Sequence, residues 1–360
     1  MPGADFLQNL IAFLIVLTPV VFFHELGHYW AARRAGVVVE VFSVGFGREL
    51  FGFTDRHGTR WRLAVIPLGG FVRMRGDEGP ASLATEQAAG QRGSFAGAGV
   101  FARMFIVAAG PLANFLLGIL LIASVYMAVG KMITPPVVGE VVSGSPAAGA
   151  GLQPGDRILE INGSAVNDFS DLRGRIFESP GRPVLLLVER QTSALEIEVT
   201  PASIFIEELD LYAGQLGVRS LPGEVRRLGP SGALLAASGD SVELTKVMLS
   251  GLGRMLTGRA QQAEIGGPVR IAEFSGDAAR QGLASLVIFA ALISINLGLI
   301  NLLPVPVLDG GHLVFFVIEA VLGRPLPLHW QALLMRGGMA LLLSLMVVVT
   351  FLDIFRLLPF

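Results

Sequence analysis

The chain has 360 residues, 52% hydrophobic and 16% charged, with a mean hydropathy of +0.63; this argues against a wholly water-soluble globule and for a multi-span membrane protein with a modest soluble part. A net charge of −2 argues against a nucleic-acid partner. Cysteine is absent, so there is neither a disulfide framework nor a thiolate metal site, and any zinc must be held by His and carboxylate groups.

Four apolar segments, about 6–30, 100–129, 284–303 and 332–352, meet the length of a spanning helix. In the first, only Gln8, Asn9 and Thr18 interrupt the apolar run from Phe6 to Phe23. It has no Lys or Arg before Arg33, and cleavage after it would discard the motif it carries, so it reads as a retained span rather than a signal peptide. That motif is HELGH. His24 and His28, four residues apart, share one helical face where both imidazoles can ligate one Zn²⁺, and Glu25 can take a proton from an attacking water. By chance the same pattern arises as a histidine pair with a surface carboxylate. Within an apolar run that reading weakens, because an idle Glu25 would cost about 2.5 kcal/mol or more near mid-bilayer.

From Arg33 to Arg103 the chain carries ten arginines and no lysine. The positive-inside rule makes this loop cytoplasmic and puts the amino terminus and the long 130–283 segment on the opposite face. Within the loop, VEVFSVGFGREL and GTRWRLAVIPLGGFVRM predict short strands and turns, with Gly45, Gly47, Gly69 and Gly70 permitting close backbone approach. Two readings stay open. One is a small cytoplasmic sheet; the other is a hairpin over about 37–75 dipping beside the active site, whose edge pairs with an extended substrate, Gly45 and Gly47 among the contacts.

Residues 137–200 read as a compact β-rich module: VVGEVV, a turn-rich GSPAAGAGLQPGD, RILEING, a short helix, VLLLVER and LEIEVT. Asn162-Gly163 is a hairpin-turn signal, and Phe169, Leu172 and Ile176 share one face of the helix that follows. The stretch SPAAGAGLQPGDRILEINGSAV resembles a PDZ domain, which implies a groove that takes a peptide or substrate segment by strand addition, for recognition or gating rather than chemistry. Ser231 to Gly258 then reads as an amphipathic helix, either interfacial against the lipid bilayer or packed on the module.

Zinc hydrolases use three protein ligands and leave one position open. Glu40 and Glu49 follow His28 but sit in predicted strand. Asp309 is the better candidate: in NLLPVPVLDGGHL, Pro304 and Pro306 break a membrane helix and Gly310-Gly311 allow a tight turn. Irregular backbone at membrane depth needs protein or a water-filled cavity around it. His312 is a weaker candidate, since a lone histidine in a turn is more often a hydrogen-bonding residue. Asn296 and Asn301 on the third span fit helix-to-helix contacts, and Asn301 also fits contact with a substrate backbone.

HELGH at 24–28, PLGGFVRM at 67–74, GPLANF at 110–115 and NLLPVPVLDGG at 301–311, with the PDZ-like module, resemble the motifs of the site-2 protease family in order, specifically the bacterial RseP-type regulated intramembrane metalloproteases. The resemblance covers nearly the whole chain. It departs from the best-known RseP members in having signal for one PDZ module rather than two. It implies a Zn²⁺ cofactor held by His24, His28 and Asp309, Glu25 as general acid/base, and Asn301 in contact with substrate. The fold implied is a polytopic α-helical membrane protein of about four transmembrane helices, with a membrane-associated β-hairpin region and an inserted β-rich PDZ domain. Its parts are 1–130 (first two spans), 131–202 (PDZ), 203–283 (connecting region) and 284–360 (last two spans). The implied substrates are single-span membrane proteins of the anti-sigma-factor kind and remnant signal peptides. The implied location is the bacterial inner membrane, with the PDZ domain periplasmic and the active site toward the cytoplasmic side. The rival reading is a non-catalytic zinc-binding membrane scaffold; Glu25 speaks against it, because a structural site needs no adjacent general base.

Overall fold

The apolar run carrying HELGH folds as one helix, α1 (Gly3–Arg34), closed by Arg33 and Arg34 in its last turn, where cations suit the helix dipole. The computed structural model describes residues 3–76, 91–206, 211–257 and 267–357. After α1 come β1 (Val39–Thr54), β2 (Arg60–Met74) and α2 (Val100–Ala128). Next are β3 (Lys131–Ile133), β4 (Val138–Val141), α3 (Pro146–Gly149), β5 (Arg157–Ile161), β6 (Ser164–Ala165), α4 (Phe169–Phe177), β7 (Val184–Arg190) and β8 (Ser193–Val199). They are followed by β9 (Ala202–Ile206), β10 (Leu211–Gln215), β11 (Val218–Ser220) and β12 (Glu224–Arg226). The chain ends in α5 (Pro230–Leu256), α6 (Pro268–Gln281), α7 (Leu283–Asn301), α8 (Asp309–Leu322) and α9 (Leu328–Leu357). Among the described residues, four helices are long and apolar enough to cross a membrane: Asp5–Arg34, Val100–Ala128, Leu283–Asn301 and Leu328–Phe351.

Two compact units result, Tyr126–Gly229 and the rest of the chain. The smaller one extends past the expected boundary at residue 202, because β11 returns to pair antiparallel with β4 and β12 with β3. Its main sheet runs β6-β5-β7-β8. Asn162 and Gly163 both take positive φ, the conformation a two-residue hairpin turn requires, and join β5 to β6. Leu172 and Ile176 of α4 enter a core with Ile158, Leu186, Val188 and Val138, while Phe169 packs at its rim. Asp156, almost fully buried, takes two hydrogen bonds from Arg190 at 2.7 and 2.8 Å and one from the Gln153 amide. Burial alone would raise its carboxyl; the Arg190 bonds and the Gln153 amide outweigh that and hold it below its ordinary value.

In the larger unit β1 and β2 form an antiparallel hairpin that folds back on itself. Val41–Val44 pair on one side with residues 70–73 and on the other with Arg60–Leu63, while residues 60–64 also pair with 49–54. The outer segments are therefore 70–74 and 49–54. The hairpin turn is tied to α1 at Asp55, which accepts from Tyr29 Oη, Trp61 Nε1 and the amides of His57 and Thr59. Burial pulls this carboxyl upward, but those four donors hold it at about 2. The distal half of the hairpin exposes Phe46, Leu50, Phe51, Phe53, Val65 and Ile66. An apolar surface of that kind on a strand pair is one that lipid or another chain covers.

Candidate metal centre

The spacing of HELGH does what a helix requires of it. With 3.6 residues per turn, His24 and His28 stack on one face of α1, their rings edge-to-face with centroids 4.8 Å apart. Both are buried, as is Glu25 between them. The third group arrives from the other end of the chain: α7 stops at Asn301, the backbone turns through Leu302–Leu308, and Asp309 opens α8. His24 Nε2 lies 3.2 Å from His28 Nε2 and 3.3 Å from Asp309 Oδ2, and His28 Nε2 lies 3.5 Å from the same oxygen. Bonds of about 2.0–2.1 Å to a tetrahedral zinc put ligand atoms about 3.3 Å apart, so the triangle fits the ion. Asp309 Oδ2 is buried and makes no hydrogen bond, as an oxygen reserved for a cation would. Among the described residues this is the one cluster of three such ligands.

α2 forms the wall behind the histidines. His28 Nδ1 is 2.9 Å from the Ile106 carbonyl, and His24 Nδ1 is 3.2 Å from the Asn114 amide. Gly110 lies between these residues on the same stripe, and a Cβ there would stand 2.2 Å from His28 Nε2. Only hydrogen fits at that position. One turn before this stripe α2 grips α8: Arg103 pairs with Glu319 and lies over the Phe316 ring, 4.9 Å from its centroid.

The turn before Asp309 is unusual. Val307 has φ of +90°, a left-handed conformation that a β-branched residue adopts only under constraint. A Cβ on Gly310 would meet the carbonyls of Leu303 and Leu302 at 2.2 and 2.4 Å, so the chain folds onto itself where the ligand emerges. His312, one turn further on, stays outside the ligand cluster and rests against Phe315 and Phe316.

The remaining sequence candidates divide. Glu40 sits 3.6 Å from Arg73 and 3.9 Å from Arg75, and Glu49 pairs with Arg60; neither joins the cluster. Gly45 and Gly47 both have φ of +89°, and a Cβ on Gly45 would meet the Ile66 carbonyl at 2.7 Å, so they shape the bulged hairpin. The strand glycine brought against Glu25 is Gly70, whose Cβ would stand 2.9 Å from Glu25 Cγ. Asn301 is half-buried at the end of α7. Sequence reasoning passed over Asn114 and Gly110. Both lie in GPLANF, and the four-residue step Ile106–Gly110–Asn114, small and polar groups in line on an apolar helix, was the available signal.

A family model described as Peptidase family M50 matches residues 12–345. Two similar proteins are each named "Putative zinc metalloprotease": one from Agrobacterium fabrum, 40% identical over 370 residues with 98% of each chain covered, and one from Rhizobium meliloti, 40% identical over 366 residues with 97% of each covered. Metalloprotease MmpA of Caulobacter vibrioides is 37% identical over 383 residues, covering 98% of this chain and 96% of that one. Among solved structures, the PDZ domain of an SdrC-like protein from Listeria monocytogenes is 18% identical and covers 25% of this chain and 92% of that one, with a TM-score of 0.21.

Proposed function

We propose, from the premise that the chain belongs to peptidase family M50 and is a zinc metalloprotease of the site-2 type, that it cuts transmembrane segments of single-span membrane proteins within the bilayer. The observation that carries this reading is the triangle of His24, His28 and Asp309, whose two histidines stand on a helix that also meets the length and apolarity of a span. His24, His28 and Asp309 would hold Zn²⁺, which when bound would supply Lewis-acid chemistry for polarising the scissile carbonyl and acidifying water. Glu25 takes the proton from the attacking water and delivers it to the departing nitrogen. The Asn301 amide, at the end of α7 close in sequence to the ligand turn, binds the substrate backbone.

A helical peptide bond is shielded by its own hydrogen bonds, so the substrate must unwind locally before it can be cut. The outer hairpin segment 70–74, which begins beside Glu25, offers a strand on which the unwound stretch can pair. The PDZ-like module selects or gates substrates by receiving a peptide segment. The arginine-rich 33–103 loop orients the chain in the bacterial inner membrane with that loop cytoplasmic and the module periplasmic. By family likeness the substrates include anti-sigma-factor-like proteins and remnant signal peptides, in regulated intramembrane proteolysis.

The test is a transmembrane reporter reconstituted with the full chain in liposomes. Glu25→Gln keeps zinc bound and lowers cleavage by roughly 10²–10⁴-fold, because the amide cannot accept the proton. Near wild-type cleavage by this variant would sink the assignment of Glu25.

A further inference from the structure

The two imidazoles of the centre are held from behind by one stripe of α2, through two different kinds of acceptor. His28 Nδ1 faces a backbone carbonyl, Ile106 O, which can only accept. His24 Nδ1 faces the side-chain amide of Asn114, which can do either. Asn114 is fully buried, and its backbone carbonyl accepts from Ser294 Oγ of α7 at 2.8 Å, which ties this point of α2 to α7.

A neutral imidazole that gives its Nε2 lone pair to a cation carries its proton on Nδ1, and that N–H needs an acceptor. With the amide nitrogen toward Nδ1, two donors would face each other, and Oδ1 would be left buried without a partner. A half-turn of the amide, which exchanges two atoms of nearly equal size, puts Oδ1 on Nδ1–H. We propose that Asn114 is a positioning residue for the metal centre: its side-chain oxygen accepts from His24 Nδ1–H, fixes the tautomer and holds Nε2 in the ligand triangle. The amide thereby does for His24 what the Ile106 carbonyl does for His28. The inference rests on the zinc reading above in one respect, that His24 is a ligand.

The test measures zinc affinity of the full chain in detergent by chelator competition, with the absorption spectrum of the Co²⁺-substituted protein beside it. Asn114→Leu, which keeps the branched outline and removes the acceptor, loses roughly 10–100-fold in zinc affinity and alters the Co²⁺ spectrum. Asn114→Asp, which keeps an acceptor oxygen, stays within about threefold of wild type. A packing role predicts the reverse order, with Leu tolerated and the buried Asp damaging, and that order would overturn the inference. His24→Ala separates the two readings: zinc loss there with Asn114→Leu unaffected rejects only the role of Asn114, whereas wild-type affinity in His24→Ala rejects the site itself. One measurement needs no variant to fold. In the zinc-loaded wild-type chain with ¹⁵N-labelled histidine, His24 shows a protonated Nδ1; an unprotonated Nδ1 there refutes the proposal.

Discussion

The two halves of the candidate metal centre are built by opposite means. The histidine half is a regular helix backed by another regular helix: the step of four residues sets the imidazoles on one face, and Ile106, Gly110 and Asn114 meet them at the same step. The aspartate half is irregular. Asp309 follows a turn with a left-handed valine and precedes glycines pressed on carbonyls, and it reaches the histidines across 281 residues of chain from His28. A regular element can present two ligands but cannot close a site on itself; the closing ligand must come from elsewhere in the fold. Where that ligand leaves a helix end, irregular backbone aims it.

The largest expected effect tests whether Asp309 is that closing ligand. Asp309→Ala removes bound zinc, read by metal analysis, and cleavage falls with it, whereas Glu40→Ala and Glu49→Ala spare both because those carboxylates pair with arginines of the hairpin. Unchanged zinc in the Asp309 variant would mean that the two halves do not form one centre.

Next comes a matched pair of methyl groups. Gly110→Ala pushes Cβ toward His28 Nε2 in a stable helix, so zinc affinity drops by roughly 10–100-fold while the melting temperature holds. Gly310→Ala meets the Leu302 and Leu303 carbonyls instead and costs about 1–3 kcal/mol of stability along with the metal. If both variants lose stability equally, the contrast between a rigid half and a strained half fails.

A smaller effect follows at the strained position. Val307→Gly removes a left-handed penalty of about 1–3 kcal/mol, partly offset by the extra freedom glycine has in the unfolded chain, for a net gain near 1 kcal/mol. Zinc affinity stays within about twofold, because the packing of α8 on α2 also holds Asp309. A marked fall in affinity would show that the strain itself aims the carboxylate.

The smallest effect concerns the link between the histidine helix and the hairpin. Asp55, held at about 2 in the fold against about 3.9 in an unfolded chain, contributes stability that is full above pH 4 and is lost as pH falls through 2. Because this carboxyl is partly exposed, solvent screening limits the contribution to about 1 kcal/mol. The Trp61 indole N–H signal should shift over that pH range in the wild type and not in Asp55→Ala. A signal indifferent to pH in the wild type would detach the hairpin turn from α1.

What the sequence by itself determined was whatever depends on spacing along one element. The four spans follow from length and apolarity, the histidine pair and Glu25 from a four-residue step, the Asn162-Gly163 turn from residue type, and the inward face of α4 from Leu172 and Ile176. Asp309 was legible as a candidate because prolines and glycines around a carboxylate in an apolar segment make no sense as plain helix. The tertiary structure alone decided the rest. It extended the β-rich module to Gly229, since β11 returns to β4 across more than seventy residues, and no local pattern encodes that partner. It brought Gly70 rather than Gly45 or Gly47 against Glu25, because a hairpin folded back on itself puts residue 70 on an outer segment while residue 45 stays inside. It also chose Asn114 for His24: an asparagine on an apolar helix is a polar group in search of a partner, and only the packing of α2 on α1 says which one it meets.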